Sequence, residues 1–119
     1  MLGLIGRKEV WVNVLPYKEL VKLLEIKNPY FLKNAFHDLL IIEKAGELFA
    51  MDTKCPHQGK SLEGCWEEND HIICPVHQYS FSLENGRGHG MYLERYDTRI
   101  QEGWFQIKKE KWSFFGFLI

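Results

Sequence analysis

The chain is 119 residues long, 45% of them apolar and 26% charged, with a formal net charge of −1 at pH 7. This length suits one domain with its own core, and the lack of a basic excess gives no electrostatic basis for binding nucleic acid. No apolar run approaches the roughly eighteen residues that cross a bilayer, and residues 2–5 are too few for a signal peptide. Three cysteines argue against a disulfide scaffold and favour a reducing compartment. We therefore expect a cytoplasmic protein with no membrane span.

The first part of the chain predicts a strand and then a short helix. Valines alternate with other residues over 10–14, which is typical of a strand. Pro16 then precedes apolar residues at helical spacing over 20–24, and Pro29 ends or redirects that segment.

The middle of the chain predicts a hairpin and then an excursion. The apolar, β-branched run 36–42, a turn at 43–47 and a partner strand at 48–51 form the hairpin. The next segment, 58–73, must reverse its direction, with a turn at Asn69-Asp70 and a returning strand at 71–74.

The last part predicts short strands only. Residues 79–83 form a strand that ends in a turn at 84–86, and 92–100 with 104–107 read as a hairpin around 101–103. Short strands with at most one short helix predict an all-β fold, an antiparallel sandwich or barrel closed on itself.

Two short segments each combine one cysteine with one histidine. The first is Cys-Pro-His at 55–57, the second is Cys-Pro-Val-His at 74–77, and sixteen residues, 58–73, separate them. Two sulfurs and two nitrogens brought together by separate loops form a metal site. A cluster of two chemically different irons needs two anionic thiolates for one iron and two neutral imidazoles for the other, and these segments supply both.

The two segments resemble the binding motif of the Rieske family, which is C-x-H, a spacer of about fifteen to seventeen residues, and C-x-x-H. The similarity covers roughly residues 10–107 and is strongest over 50–86. It implies one Rieske-type 2Fe–2S cluster. The ligands that it implies, one pair for each iron, are Cys55 with Cys74 and His57 with His77.

The resemblance also implies the domain organisation. We expect a single Rieske domain, 1–119, with a small cluster-binding subdomain at about 53–84. The apolar C-terminal extension, about 108–119, lies beyond the family's core. Packing on the chain's own core or a sheet edge is the favoured reading of this tail. An oligomer or partner contact and attachment to a membrane surface are the alternatives.

The chain departs from the high-potential, respiratory members of the family. The positions of their inter-loop disulfide are occupied here by Lys60 and Val76. Their serine and tyrosine, whose hydroxyls donate to a sulfide and a cysteine sulfur, are replaced by Tyr79 and Phe81. Ser80 should point to the opposite side of an extended strand. The resemblance therefore implies a low-potential member, at roughly −150 to 0 mV within the Rieske range.

Two further residues could take part in chemistry. Cys65 is left over from the ligand pairs and is predicted to be a small, partly buried residue rather than a redox sensor. His89 lies in a loop, 86–90, that lacks the family's proline. We predict a solvated loop histidine there, with a place near the cluster or in partner docking as the alternative.

The implied function is one-electron transfer from a reductase to an oxygenase or similar acceptor, without catalysis in this chain. A catalytic Rieske oxygenase would need a mononuclear iron held by two histidines and a carboxylate in a larger second domain. One alternative is a small electron-transfer subunit of a larger redox complex. The other is a structural zinc module, although such modules usually place two cysteines before two histidines.

Overall fold

The structure, a computed structural model, describes the backbone of residues 5–114 and 117–118 and the side chains of residues 9–110. The described chain contains one helix, α1, at Tyr17–Ile26. Its strands are β1 Ile5–Pro16, β2 Tyr30–Lys33, β3 Asp38–Lys44, β4 Glu47–Met51, β5 Trp66–Glu68, β6 His71–Ile73, β7 Ser80–Ser82, β8 Arg87–Gly88, β9 Met91–Tyr92, β10 Arg95–Tyr96, β11 Thr98–Gln101, β12 Trp104–Phe114 and β13 Phe117–Leu118. The pairings between these strands are antiparallel, which confirms the predicted fold class.

The longest pairing joins the two ends of the described chain. Strand β1 pairs with β12 from Ile5 opposite Phe114 to Pro16 opposite Trp104, with one irregularity between Asn13 and Leu15. The strand predicted at 10–14 is therefore the middle of a longer one. The backbone of the predicted tail continues β12, and β13 folds back on its end. Side chains beyond residue 110, and residues 115, 116 and 119 altogether, lie outside the described part.

The predicted helix forms where the apolar spacing indicates. Pro16 immediately precedes α1, and its fixed φ of −60° suits a helix start. The N–H of Tyr17 donates to the carbonyl of Gly103, which ties the helix to the turn before β12. Leu20 of α1 is fully buried. In the described residues no helix is long and apolar enough to cross a membrane.

The predicted hairpin is β3–β4, with a tighter turn than expected. Ala45 and Gly46, with φ of 55° and 82°, form the whole turn, so Glu43, Lys44 and Glu47 belong to the strands. Left-handed backbone at both positions matches the right-handed twist of the paired strands. The pattern did not predict β2, which pairs with β3 on its other side.

The β3–β4 hairpin is buried on both faces. Alternate side chains of a strand point to opposite sides of a sheet. On one side Leu40, Ile42 and Met51 join the core that contains Cys55 and Cys74. On the other side, a second core under α1 and the long β1–β12 pair includes Leu39, Ile41 and Ala50. The apolar run in β3 therefore separates two cores.

A third sheet, β5–β6–β7, lies next to the two Cys/His segments along the chain: β5 and β6 come between them, and β7 follows the second. Asn69 and Asp70, with φ of 51° and 63°, make the turn between β5 and β6 at the predicted place. Lys44 Nζ contacts Glu67 Oε2 at 2.5 Å and Asp70 Oδ1 at 2.8 Å. This ion pair links the β3–β4 hairpin to the edge of the third sheet.

Gly88→Ala is expected to destabilise the β8–β9 hairpin. A Cβ at Gly88 would fall 1.9 Å from the carbonyl oxygen of Ser80, so that one of the two backbones must move. We expect a loss of about 3 kcal/mol or more in the free energy of unfolding. Urea unfolding monitored by circular dichroism measures it.

Gly90→Ala is the matched control for Gly88→Ala. Nothing lies within 4 Å of a Cβ at Gly90, and its only penalty is the left-handed φ of 73°. That penalty is about 1 kcal/mol. Equal losses in the two variants would contradict the steric argument.

Candidate metal centre

The two Cys/His segments are turns with the same backbone hydrogen bonds. The N–H of Cys55 donates to the carbonyl of Lys60, and the N–H of Gly59 donates to the carbonyl of Cys55, both at 2.8 Å. The N–H of Cys74 donates to the backbone carbonyl of Tyr79 at 2.7 Å, and the N–H of Gln78 donates to the carbonyl of Cys74 at 2.9 Å. Each turn is therefore closed on its own cysteine.

The equivalent fifth positions of the two turns both have left-handed backbone. Gly59 has φ of 68°, which glycine adopts without strain, and Gln78 has φ of 57°, which is rare for a residue with a Cβ. In both turns the cysteine is buried and the histidine is more exposed. Cys55 and Cys74 are 3% and 2% exposed, whereas His57 is half-buried and His77 exposed.

The two thiols lie together at the base of the site. Burial raises the pKa of the Cys55 thiol, and the adjacent Cys74 side chain, with which it hydrogen-bonds, raises it further. The backbone N–H groups of His57 and Gln58 act in the opposite direction because they donate to the sulfur and favour the thiolate. N–H groups aimed at a cysteine sulfur suit a metal-bound thiolate.

The two imidazoles lie together at the mouth of the site. The rings of His57 and His77 are edge to face, with centroids 5.5 Å apart and planes at 89°. In the described residues no three His, Cys, Asp or Glu side chains surround a single point as one metal ion would require. The four side chains form two pairs, thiol with thiol and imidazole with imidazole. The depression between the turns is lined by Cys55, His57, Gln58, Lys60, Cys74, Val76, His77 and Tyr79.

Three of the four residues that differ from the high-potential members line this depression, and the fourth lies in the core. Lys60 and Val76 line it on opposite turns, so a lysine and a valine stand where those members have a disulfide. The Tyr79 hydroxyl lies 3.5 Å from Nε2 of His57. Phe81 is fully buried in the core that contains Cys55 and Cys74.

His89 is nearer the site than predicted. Its side chain is exposed, but the ring stacks on Tyr79 with centroids 4.7 Å apart and planes at 18°. Its Nε2 accepts the N–H of Ser80 at 3.1 Å. His89 is thus an exposed turn histidine, as predicted, and its ring also contacts a residue that lines the depression. Sequence spacing carried no signal for this contact, which depends on how the β8–β9 hairpin lies on β7.

Cys65 is packed in the core rather than at the mouth of the site. It is 9% exposed and belongs to the same buried cluster as Cys55 and Cys74. Burial raises the pKa of its thiol to about 12, so the group stays protonated at neutral pH. This environment agrees with the predicted structural role.

Comparison with known proteins identifies the family. The family model described as the Rieske 2Fe-2S domain matches residues 10–95, which include both turns. The chain belongs to the Rieske family, and its cofactor is a Rieske-type 2Fe–2S cluster. A set of two buried thiols and two surface imidazoles fits that cluster, which takes two ligands of each kind.

The chain is similar to two ferredoxins of oxygenase systems. The ferredoxin component of the alkene monooxygenase system of Xanthobacter autotrophicus is 42% identical over 71 residues, 56% of this chain and 58% of the relative. The 3-phenylpropionate/cinnamic acid dioxygenase ferredoxin subunit of Photorhabdus laumondii is 39% identical over 51 residues, 42% and 49% of the two chains. The matches thus span about half the length of these relatives.

A solved structure shows the same fold. The Sphingomonas yanoikuyae B1 ferredoxin superposes with a TM-score of 0.67 at 20% identity. The match covers 84% of this chain and 99% of that one. The likeness in fold thus extends over most of both chains.

Proposed function

We propose that the chain is a one-electron carrier, with Cys55 and Cys74 holding one iron of the cluster and His57 and His77 the other. One observation carries the proposal: the two turns bring all four side chains to one depression, with the thiols buried and the imidazoles at the surface. The cluster, when bound, supplies a site that accepts and releases a single electron.

The ligands set the charge of the site. Two thiolates bring two negative charges, whereas the four thiolates of other ferredoxins bring four, so an added electron meets less repulsion here. Pro56 and Pro75 stiffen the turns beside the cysteines because their rings fix φ. His77 is exposed and His57 is partly exposed, so a redox partner can reach both imidazoles at the surface.

The proposed partners are a reductase as electron donor and an oxygenase or other acceptor. The support is the description of both relatives as ferredoxin components of a monooxygenase and a dioxygenase system. In this proposal the chain is a soluble, cytoplasmic electron-transfer protein and not itself an enzyme. It is one domain, 1–119, with a cluster-binding subdomain at about 53–84 and a C-terminal extension at about 108–119.

The metal content tests the proposal directly. Protein isolated without oxygen should be coloured and contain about two irons and two acid-labile sulfides per chain. Metal analysis and a sulfide assay measure both. One zinc per chain without sulfide would show that the site is a structural zinc module.

The binding surface tests the role as a mobile carrier. An electron-transfer partner should protect the two ligand turns, 55–60 and 74–79, from hydrogen exchange because the imidazoles lie there. Exchange measured with and without the reductase or oxygenase gives the result. Protection confined to 112–119 would instead support a permanent subunit that docks elsewhere.

A further inference from the structure

The ring of Tyr79 contacts three imidazoles. Its hydroxyl lies 3.5 Å from Nε2 of His57, and the two ring centroids are 4.5 Å apart. Its centroid lies 5.9 Å from that of His77. It also stacks on His89 at 4.7 Å. Tyr79 therefore contacts both proposed imidazole ligands and a third histidine that belongs to neither turn.

His89 is held in place by the strand that follows Tyr79. Its Nε2 accepts the N–H of Ser80 at 3.1 Å and lies 3.5 Å from the Ser80 hydroxyl. The hairpin that carries it is seated against the same strand, because Gly88 packs on the Ser80 carbonyl without room for a Cβ. Rotating His89 away from Tyr79 would break the bond to Ser80, so the stack restrains the tyrosine ring.

We propose that Tyr79 is a positioning residue for His57 and that His89 acts through Tyr79. This inference rests on the proposed function, in which His57 is an iron ligand. Because Nε2 of His57 faces the hydroxyl, Nδ1 is the nitrogen left for iron. A neutral imidazole that is bound through Nδ1 carries its proton on Nε2, and the Tyr79 oxygen then accepts that N–H. An acceptor on the outer nitrogen fixes the ring and makes it a stronger electron donor, which favours the oxidised state.

Tyr79→Phe tests the hydroxyl while keeping the ring and its stack. We expect unchanged iron and sulfide and a one-electron reduction that becomes about fivefold more favourable, which at 59 mV per decade raises the midpoint potential by about 40 mV. Voltammetry at one fixed pH measures the shift. Tyr92→Phe is the matched control, because Tyr92 is an exposed tyrosine on β9 and its hydroxyl deletion should leave the potential unchanged.

His89→Leu tests the stack. Alone it should shift the potential in the same direction by less, and in the Tyr79→Phe background it should add nothing, since its effect passes through the hydroxyl. His71→Leu, at an imidazole whose Nδ1 contacts the carbonyl of Asn69, controls for losing a histidine. Pulsed EPR of the reduced proteins should show a changed nitrogen coupling for one histidine ligand only.

An unchanged potential in Tyr79→Phe, or additive shifts in the double variant, would refute the inference. The proposed function fails by a different result. If His57→Ala keeps its iron and sulfide, the ligand assignment is wrong whatever the Tyr79 variants do. Potentials and metal contents therefore test the two proposals separately.

Discussion

Replacing Cys55, His57, Cys74 or His77 by alanine is expected to lower the iron content from about two per chain to nearly none. Each substitution removes one of the four proposed ligands, and the described residues in the depression offer no acid or further cysteine as a substitute. Iron and sulfide per chain, together with the visible spectrum, measure the loss. Circular dichroism shows whether the sheets persist, since the turns keep their backbone hydrogen bonds without the altered side chain.

Cys65→Ser is the matched control for the cysteine variants. Cys65 is a buried core residue that does not line the depression, so its serine variant should keep the cluster. A buried hydroxyl costs about 1–3 kcal/mol of stability, which the melting temperature would record. Loss of the cluster in Cys65→Ser with its retention in Cys55→Ser would show that the wrong thiols were assigned.

The midpoint potential is expected to lie at roughly −150 to 0 mV, in the low part of the Rieske range. The hydroxyl donors that stabilise the reduced cluster in high-potential members are absent: the Tyr79 hydroxyl contacts an imidazole, and Phe81 has none. Phe81→Tyr places a hydroxyl in the core that contains both proposed ligand cysteines. A hydrogen bond to a charged group is worth about 1.5–3 kcal/mol, so the potential should rise by about 60–130 mV.

Phe105→Tyr controls for the buried hydroxyl itself. Phe105 is also fully buried, but it belongs to the core on the other side of the β3–β4 hairpin. Its tyrosine variant should lose stability without a change in potential. A wild-type midpoint near +200 mV, within the upper Rieske range, would contradict the hydrogen-bond argument, as would a lower potential in Phe81→Tyr.

Local patterns predicted the parts of the fold that local chemistry determines. Pro16 with apolar residues at helical spacing predicted α1, and Asn69-Asp70 predicted a turn because short polar side chains tolerate left-handed backbone. The Cys/His spacing indicated the four proposed ligands. Each of these features lies within a few residues of its signal.

Features that depend on distant partners could not be read from the sequence. Strand β2 has only four residues, and its position is fixed by pairing with β3. The stack of His89 on Tyr79 follows from how one hairpin lies on another strand. The position of Tyr79 in the sequence indicates only that its hydroxyl replaces a serine donor, whereas the structure shows that this hydroxyl lies next to the imidazole of His57.

The doubly buried β3–β4 hairpin has a consequence for the lifetime of the cofactor. Leu40 and Ile42 belong to the core that contains the proposed ligand cysteines, while Leu39 and Ile41 of the same strand belong to the core under the helix. Strand β3 cannot leave one core and stay in the other, so we expect the two cores to unfold together as one cooperative unit. Disruption of the core farthest from the metal therefore also opens the wall behind the thiolates, and we expect iron to be released in the same transition as global unfolding.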